Sequence, residues 1–226
     1  MGRQLAAALA TGLLLTGMSA CTGSSDDDRP EVDGAVVQPG SPGEKSTTLD
    51  EAPRIEAPGA NDADVMFAQM MIPHHAQALQ MSRLAKDAGA GPDVQVMADR
   101  IDGAQRPEIV FMAGWLTDRG EDAPTAEEIE GGDLRILSEA HGGHAMAPDQ
   151  MPGMATPAEL DELEDARGAE FDRLYLTLMI RHHQGAIDMA GEVLRDGSEQ
   201  QLNELAAGIA ADQSAEISRM QALLDG

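Results

Sequence analysis

Residues 64–81, DVMFAQMMIPHHAQALQM, recur 108 positions later as residues 172–189, DRLYLTLMIRHHQGAIDM. Both stretches follow one pattern, D-x-x-[FY]-x-x-x-M-I-x-H-H-x-x-A-x-x-M. Laid without gaps over residues 172–224, residues 64–116 give 15 identities in 53 pairs, where about one in sixteen is expected by chance at ordinary residue usage. The chain is therefore an internal duplication, and each copy is one supersecondary unit whose apolar face needs a neighbour.

The repeated positions obey a helical period. At ~100° per residue, Asp64, Phe67, Met71, His74, His75, Ala78 and Met81 fall on one face of a helix. Asp172, Tyr175, Met179, His182, His183, Ala186 and Met189 do the same in the second copy. Ala at the centre of each face leaves room for a ligand where Leu would fill the core. A methionine stripe alone reads as core, because Met is a good helix former that packs well. Adjacent histidines on both copies read differently, since four buried imidazoles need a partner for every ring nitrogen. The candidate metal ligands are thus His74, His75, Met71, Met81, His182, His183, Met179 and Met189. Imidazole nitrogen with thioether sulfur is a soft, neutral donor set that suits Cu(I) and can hold Cu(II) through the imidazoles. Iron or another divalent metal is the alternative cofactor.

Each histidine helix is followed by a second helix with its own repeat, Gln105-x-x-Glu108-x-x-x-Met112 and Gln213-x-x-Glu216-x-x-x-Met220. Glu108 and Glu216, with Asp64 and Asp172, are candidates to orient a ligating imidazole from behind. Direct ligation and pairing with Arg are the other roles open to the glutamates. The connection between the copies holds His141, His144, Met146, Met151 and Met154, possible accessory ligands. No Glu-x-x-His occurs in either copy, which weighs against a ferritin-type oxidase centre.

Composition sets the frame. Only one Trp, one Tyr and three Phe stand among 226 residues with fourteen Met, which favours helices over sheets. A net charge of −25 argues against nucleic acid and for cations as partners. Arg3, the apolar run Leu5 to Leu15 and Met18-Ser19-Ala20-Cys21 resemble a bacterial lipoprotein signal, with lipid on Cys21, the one cysteine. An ordinary secretory peptide is the alternative.

The expected organisation is a signal peptide over 1–20, a disordered tether over 21–60 and a four-helix bundle over 61–226. Within the bundle, repeat one spans 61–119, the connection 120–156 and repeat two 157–226. The first helix, capped by Asn61 or Asp62, runs to Ala88 with a kink at Pro73, and the second runs from Asp93 to Gly120. The connection is expected to carry a short helix around 126–139. Repeat two reads as one long helix over 158–194 followed by another over 199–224. Two short-loop hairpins of this kind pack together as an all-α four-helix bundle.

These motifs, with the intervening M-P-G-M-A-T-P-A-E-L, closely resemble the bacterial family catalogued as domain of unknown function 305, over about residues 61–226. The resemblance implies a ferritin-like four-helix bundle, usually exported and often a lipoprotein, with copper binding and copper tolerance attributed to some members. The family pattern falls on the two His-His pairs, Met71, Met81, Met179, Met189 and Met151-x-x-Met154. The expected function is an extracytoplasmic, membrane-anchored metal-binding lipoprotein that sequesters or passes on copper, with no catalytic motif in view. The alternatives are a carboxylate/His metalloenzyme of ferritin-like type and a metal-free helical interaction domain.

Overall fold

The computed structural model describes residues 36–38, 43–45, 47–49, 59–125, 128 and 151–226. The signal segment, Cys21, most of the tether, all but residue 128 of the helix expected around 126–139, and His141, His144 and Met146 lie outside the described residues. The chain divides into two compact units, residues 1–54 and 55–226.

In the first unit, β1 (Val36–Gln38) pairs antiparallel with β2 (Thr47–Leu49), Val37 lying opposite Thr48. The stretch read as a tether therefore contains a two-stranded ladder in which Val36, Val37, Thr47 and Thr48 are β-branched. A two-stranded hairpin is marginal by itself in water.

The second unit is helical: α1 (Asp62–Asp87), α2 (Pro92–Thr117), α3 (Pro157–Asp165), α4 (Gly168–Asp196) and α5 (Gln200–Asp225). Asn61 caps α1 through the backbone N–H groups of Ala63 and Asp64, and the Asp64 carboxylate accepts from the Asn61 N–H in return. At the other end Gly89 turns left-handed at φ 66°, and Ala90 N–H reaches back to Ala85 C=O at 3.1 Å. This closing turn satisfies carbonyls the helix leaves open. The helix is continuous through Pro73, and α2 through Pro107.

The expected single helix over 158–194 is broken. Ala166 leaves the helical conformation at ψ 150°, and Gly168 sits at φ 57° and donates its N–H to Ala88 C=O at 2.9 Å. A hydrogen bond to the end of α1 thus takes the place of helix continuation, at a residue with no Cβ to oppose the left-handed conformation. Buried Leu163 and Ala166 pin the turn into the core.

Helices α1 and α4 are the central pair, running antiparallel, with α2 packed along α1 and α5 along α4. The two copies clasp each other reciprocally. Asp64 accepts from the N–H groups of Ser198 and Glu199 at the start of α5, both at 3.1 Å, and Asp172 accepts from the Gly91 N–H at the start of α2. Each carboxylate caps the second helix of the other copy, where the N-terminal helix dipole favours negative charge.

One end of the bundle packs Phe67, Met71, Ile109, Trp115, Met189 and Val193, and the other packs Met81, Val94, Ile101, Phe171, Tyr175 and Met179. The antiparallel crossing is why Met71 shares a cluster with Met189 and Met81 with Met179. The His-His pairs fall at the junction of the two clusters. Among the described residues, no helix is long and apolar enough to cross a membrane.

Candidate metal centre

Helical spacing brings His74 and His75 on α1 against His182 and His183 on α4, and all four side chains are fully buried. The His74 and His182 rings face one another, centroids 3.8 Å apart and tilted by 35°. His75 donates through Nε2 to the Glu108 carboxylate at 2.8 Å, and His183 through Nε2 to Glu216 at 2.9 Å. His74 donates through Nε2 to the Pro152 carbonyl at 3.0 Å, and His182 through Nε2 to the His74 carbonyl at 2.9 Å.

These partners decide the tautomers. Carboxylate and carbonyl oxygens only accept, so each Nε2 carries a proton, and in the neutral ring each Nδ1 keeps its lone pair. All four Nδ1 atoms are buried and without a hydrogen-bond partner. Buried Nδ1 atoms on rings whose Nε2–H donates to an acceptor on the far side are the arrangement in which imidazole ligates a metal.

Burial lowers the His74 pKa to about 3; the Pro152 carbonyl opposes this, and the charges of His75 and His183 add to it. The same loss of solvent lowers His182 well below the ordinary histidine value, reinforced by the other three imidazoles. Burial also lowers His183, against the pull of Glu216. Burial alone raises the Glu216 carboxyl, but the His183 hydrogen bond, and Arg100 Nε at 3.1 Å, outweigh it and hold it below the usual carboxylate range. His74, His182 and His183 are therefore neutral, as ligation requires.

Met71, Met81 and Met179 are fully buried and Met189 nearly so, while Met151 and Met154 are buried in the same cluster as Met71 and Met189. Among the described residues, no three His, Cys, Asp or Glu side chains are gathered to hold one ion by themselves. An ion on these imidazoles would need thioethers to complete its coordination. Asp64 and Asp172 lie at the helix ends, about 15 Å along the helix from the histidines at 1.5 Å per residue, where they cap backbone rather than orient imidazole. Gln105 and Gln213 are buried beside the glutamate turns, and neither side chain has a hydrogen-bond partner among the protein's groups.

The approach to the histidines is closed by residues 151–159. Gln77 grips Ala155 on both sides, donating to its carbonyl at 2.9 Å and accepting from its N–H at 2.7 Å. Arg181 holds Glu159 through two 2.7 Å contacts and also reaches the Met154 carbonyl. A Cβ on Gly185 would overlap the Pro152 carbonyl, and one on Gly153, at φ 76°, would overlap the backbone of Arg181. The signal for this strap lies in residues that break the repeat. The duplication fails at Pro73/Arg181 and Gln77/Gly185, and Arg181, Gln77 and Gly185 all seat the strap.

The sequence pattern of the family described as Domain of unknown function (DUF305) matches residues 64–224. The chain belongs to this family. Among solved structures, a DUF305 fragment from Deinococcus radiodurans is 30% identical, with 74% of this chain and 99% of that one covered and a TM-score of 0.61. A DUF305 protein from Streptomyces coelicolor, inferred to be secreted, is 30% identical over 72% of this chain and 92% of its own, with a TM-score of 0.58. CopM in its Cu(II)-bound form is 28% identical over 72% of this chain and 95% of its own, with a TM-score of 0.55. No curated protein matches the chain.

Proposed function

We propose that this DUF305 protein is an extracytoplasmic copper-binding lipoprotein that sequesters copper or passes it on through histidine and methionine, without catalytic turnover. The observation that carries the reading is the set of four buried Nδ1 lone pairs whose opposite ring nitrogens are all committed to acceptors. Leaving four such acceptors unsatisfied costs stability unless a ligand answers them. Neutral imidazole with buried thioether favours Cu(I), and the Cu(I)- and Cu(II)-bound forms of CopM support copper as the metal. Glu108 and Glu216 orient His75 and His183, and the strap over 151–159 excludes water from the lone pairs.

Export is supported by the N-terminal signal and by the inferred secretion of the Streptomyces relative. Lipid on Cys21 anchors the chain at the outer face of the cell membrane, and Cys21→Ser is expected to release it into the medium; retention on the membrane would contradict the anchor. A competition titration at neutral pH tests the metal. Replacing His74, His75, His182 and His183 together by Ala is expected to abolish most Cu(I) affinity while helical circular dichroism persists. Unchanged affinity would remove the histidines from the site.

A further inference from the structure

The duplication makes the two ends of the bundle chemically comparable, and they differ. Where α1 begins and α4 ends, a cavity of about 130 Å3 is lined by Ala63, Met66, Met70, Met189, Glu192 and Asp196, among others. The equivalent positions at the opposite end, 108 residues away in either direction, are Phe171, Leu174, Leu178, Met81, Leu84 and Ala88. There Phe171, Leu178, Met81 and Ala88 are buried in a filled apolar cluster, with Leu84 and Leu174 packed against it. Replacing the phenylalanine by Ala63 opens the space. Two leucines become Met66 and Met70, and two apolar residues become the exposed carboxylates Glu192 and Asp196.

Packing does not account for this pattern. Leu and Met are close in volume, so exchanging them neither fills nor empties a core. What Met66 and Met70 add is a second and third thioether beside Met189, four residues apart on one helical face. Met66 is 45% exposed, so the group opens to solvent, whereas Met70 and Met189 are buried behind it. Three thioethers under a pair of carboxylates make a neutral, soft donor set with negative charge at its mouth, matched to a monovalent soft cation.

We infer that the Met66–Met70–Met189 cavity is a second, outward-facing soft-metal site, which takes Cu(I) or Ag(I) from solvent. It rests on the reading that the protein handles a soft metal, and it deepens that reading by giving the buried histidines an exposed neighbour. Met189 stands seven residues beyond His182, about 10 Å along α4 at 1.5 Å per residue, so one helix face links the two sites.

The test uses Ag(I), which has no second oxidation state in water, on the purified protein and its M66L/M70L variant. The variant carries the leucines already found at the opposite end, so its fold should be preserved. The wild type is expected to bind one more equivalent of Ag(I) than the variant, with the Met66 and Met70 methyl resonances shifting as that equivalent is added. Equal stoichiometry with unmoved methyl resonances overturns this site, and leaves the histidine centre standing if imidazole resonances still respond. If the wild type binds no Ag(I) at all, both readings fall.

Discussion

Acidifying the metal-free protein should unfold it earlier than its carboxylates alone would allow. His74 is neutral in the folded state, with a pKa lowered by burial to about 3 from an ordinary 6.5. Between those values the unfolded chain binds a proton that the folded chain refuses. Stability therefore rises with pH across this window and falls as pH drops through it. From pH 6.5 to pH 5, linkage with these two values gives a loss on the order of 1–2 kcal/mol for His74 alone. His182 and His183 are lowered in the same direction by the same burial and steepen the slope. The Glu216 carboxyl, held below its usual range, keeps its contribution until lower pH. With a urea dependence of about 2 kcal/mol per M, His74 by itself moves the unfolding midpoint by roughly 0.5–1 M. Urea titrations followed by far-ultraviolet circular dichroism at pH 7.5, 6.5 and 5, with a chelator present, measure this. His74→Asn should flatten the slope whatever it does to absolute stability. A midpoint that holds steady or rises between pH 6.5 and 5 refutes neutral, solvent-free imidazoles at the junction of the two clusters.

Asp64→Ala removes the acceptor for the start of α5, and should cost about 2 kcal/mol in denaturant unfolding while leaving metal stoichiometry unchanged. Gly185→Ala drives a methyl against the Pro152 carbonyl, and should destabilise by about 1–3 kcal/mol and speed protease cleavage within residues 151–156. Glu216→Gln leaves one amide to face both His183 and Arg100. Cu(I) affinity should then fall roughly 10- to 100-fold with the helical spectrum retained.

The duplicated motif made most of the bundle legible, because a 3.6-residue period puts adjacent histidines on the inner face wherever the rest of that face is apolar. Angular position says nothing about height, however. Asp64 shares the face of His74 yet stands ten residues away, and its partners belong to the turn of the other copy. The break at Ala166–Gly168 was hidden because the Ala-Arg-Gly-Ala-Glu stretch carries no proline; a tertiary hydrogen bond to Ala88 decides it. The docking of Met151–Met154 followed from residues that violate the repeat, Gln77, Arg181 and Gly185, and a search for identities passes over those by construction. The short strands near Val36 and Thr47 lie in a segment polar overall, where two local pairs of β-branched residues give only a weak strand signal.

One nitrogen on each ring, Nδ1, carries the metal assignment, and nitrogen-15 NMR of the histidine side chains during Ag(I) titration reads it directly. The Nδ1 resonances of His74, His75, His182 and His183 are expected to move as metal is added, while each Nε2 keeps its proton and its hydrogen bond. Metal-dependent movement of Nε2 with loss of its proton, or imidazole resonances unmoved at full metal loading, would contradict it.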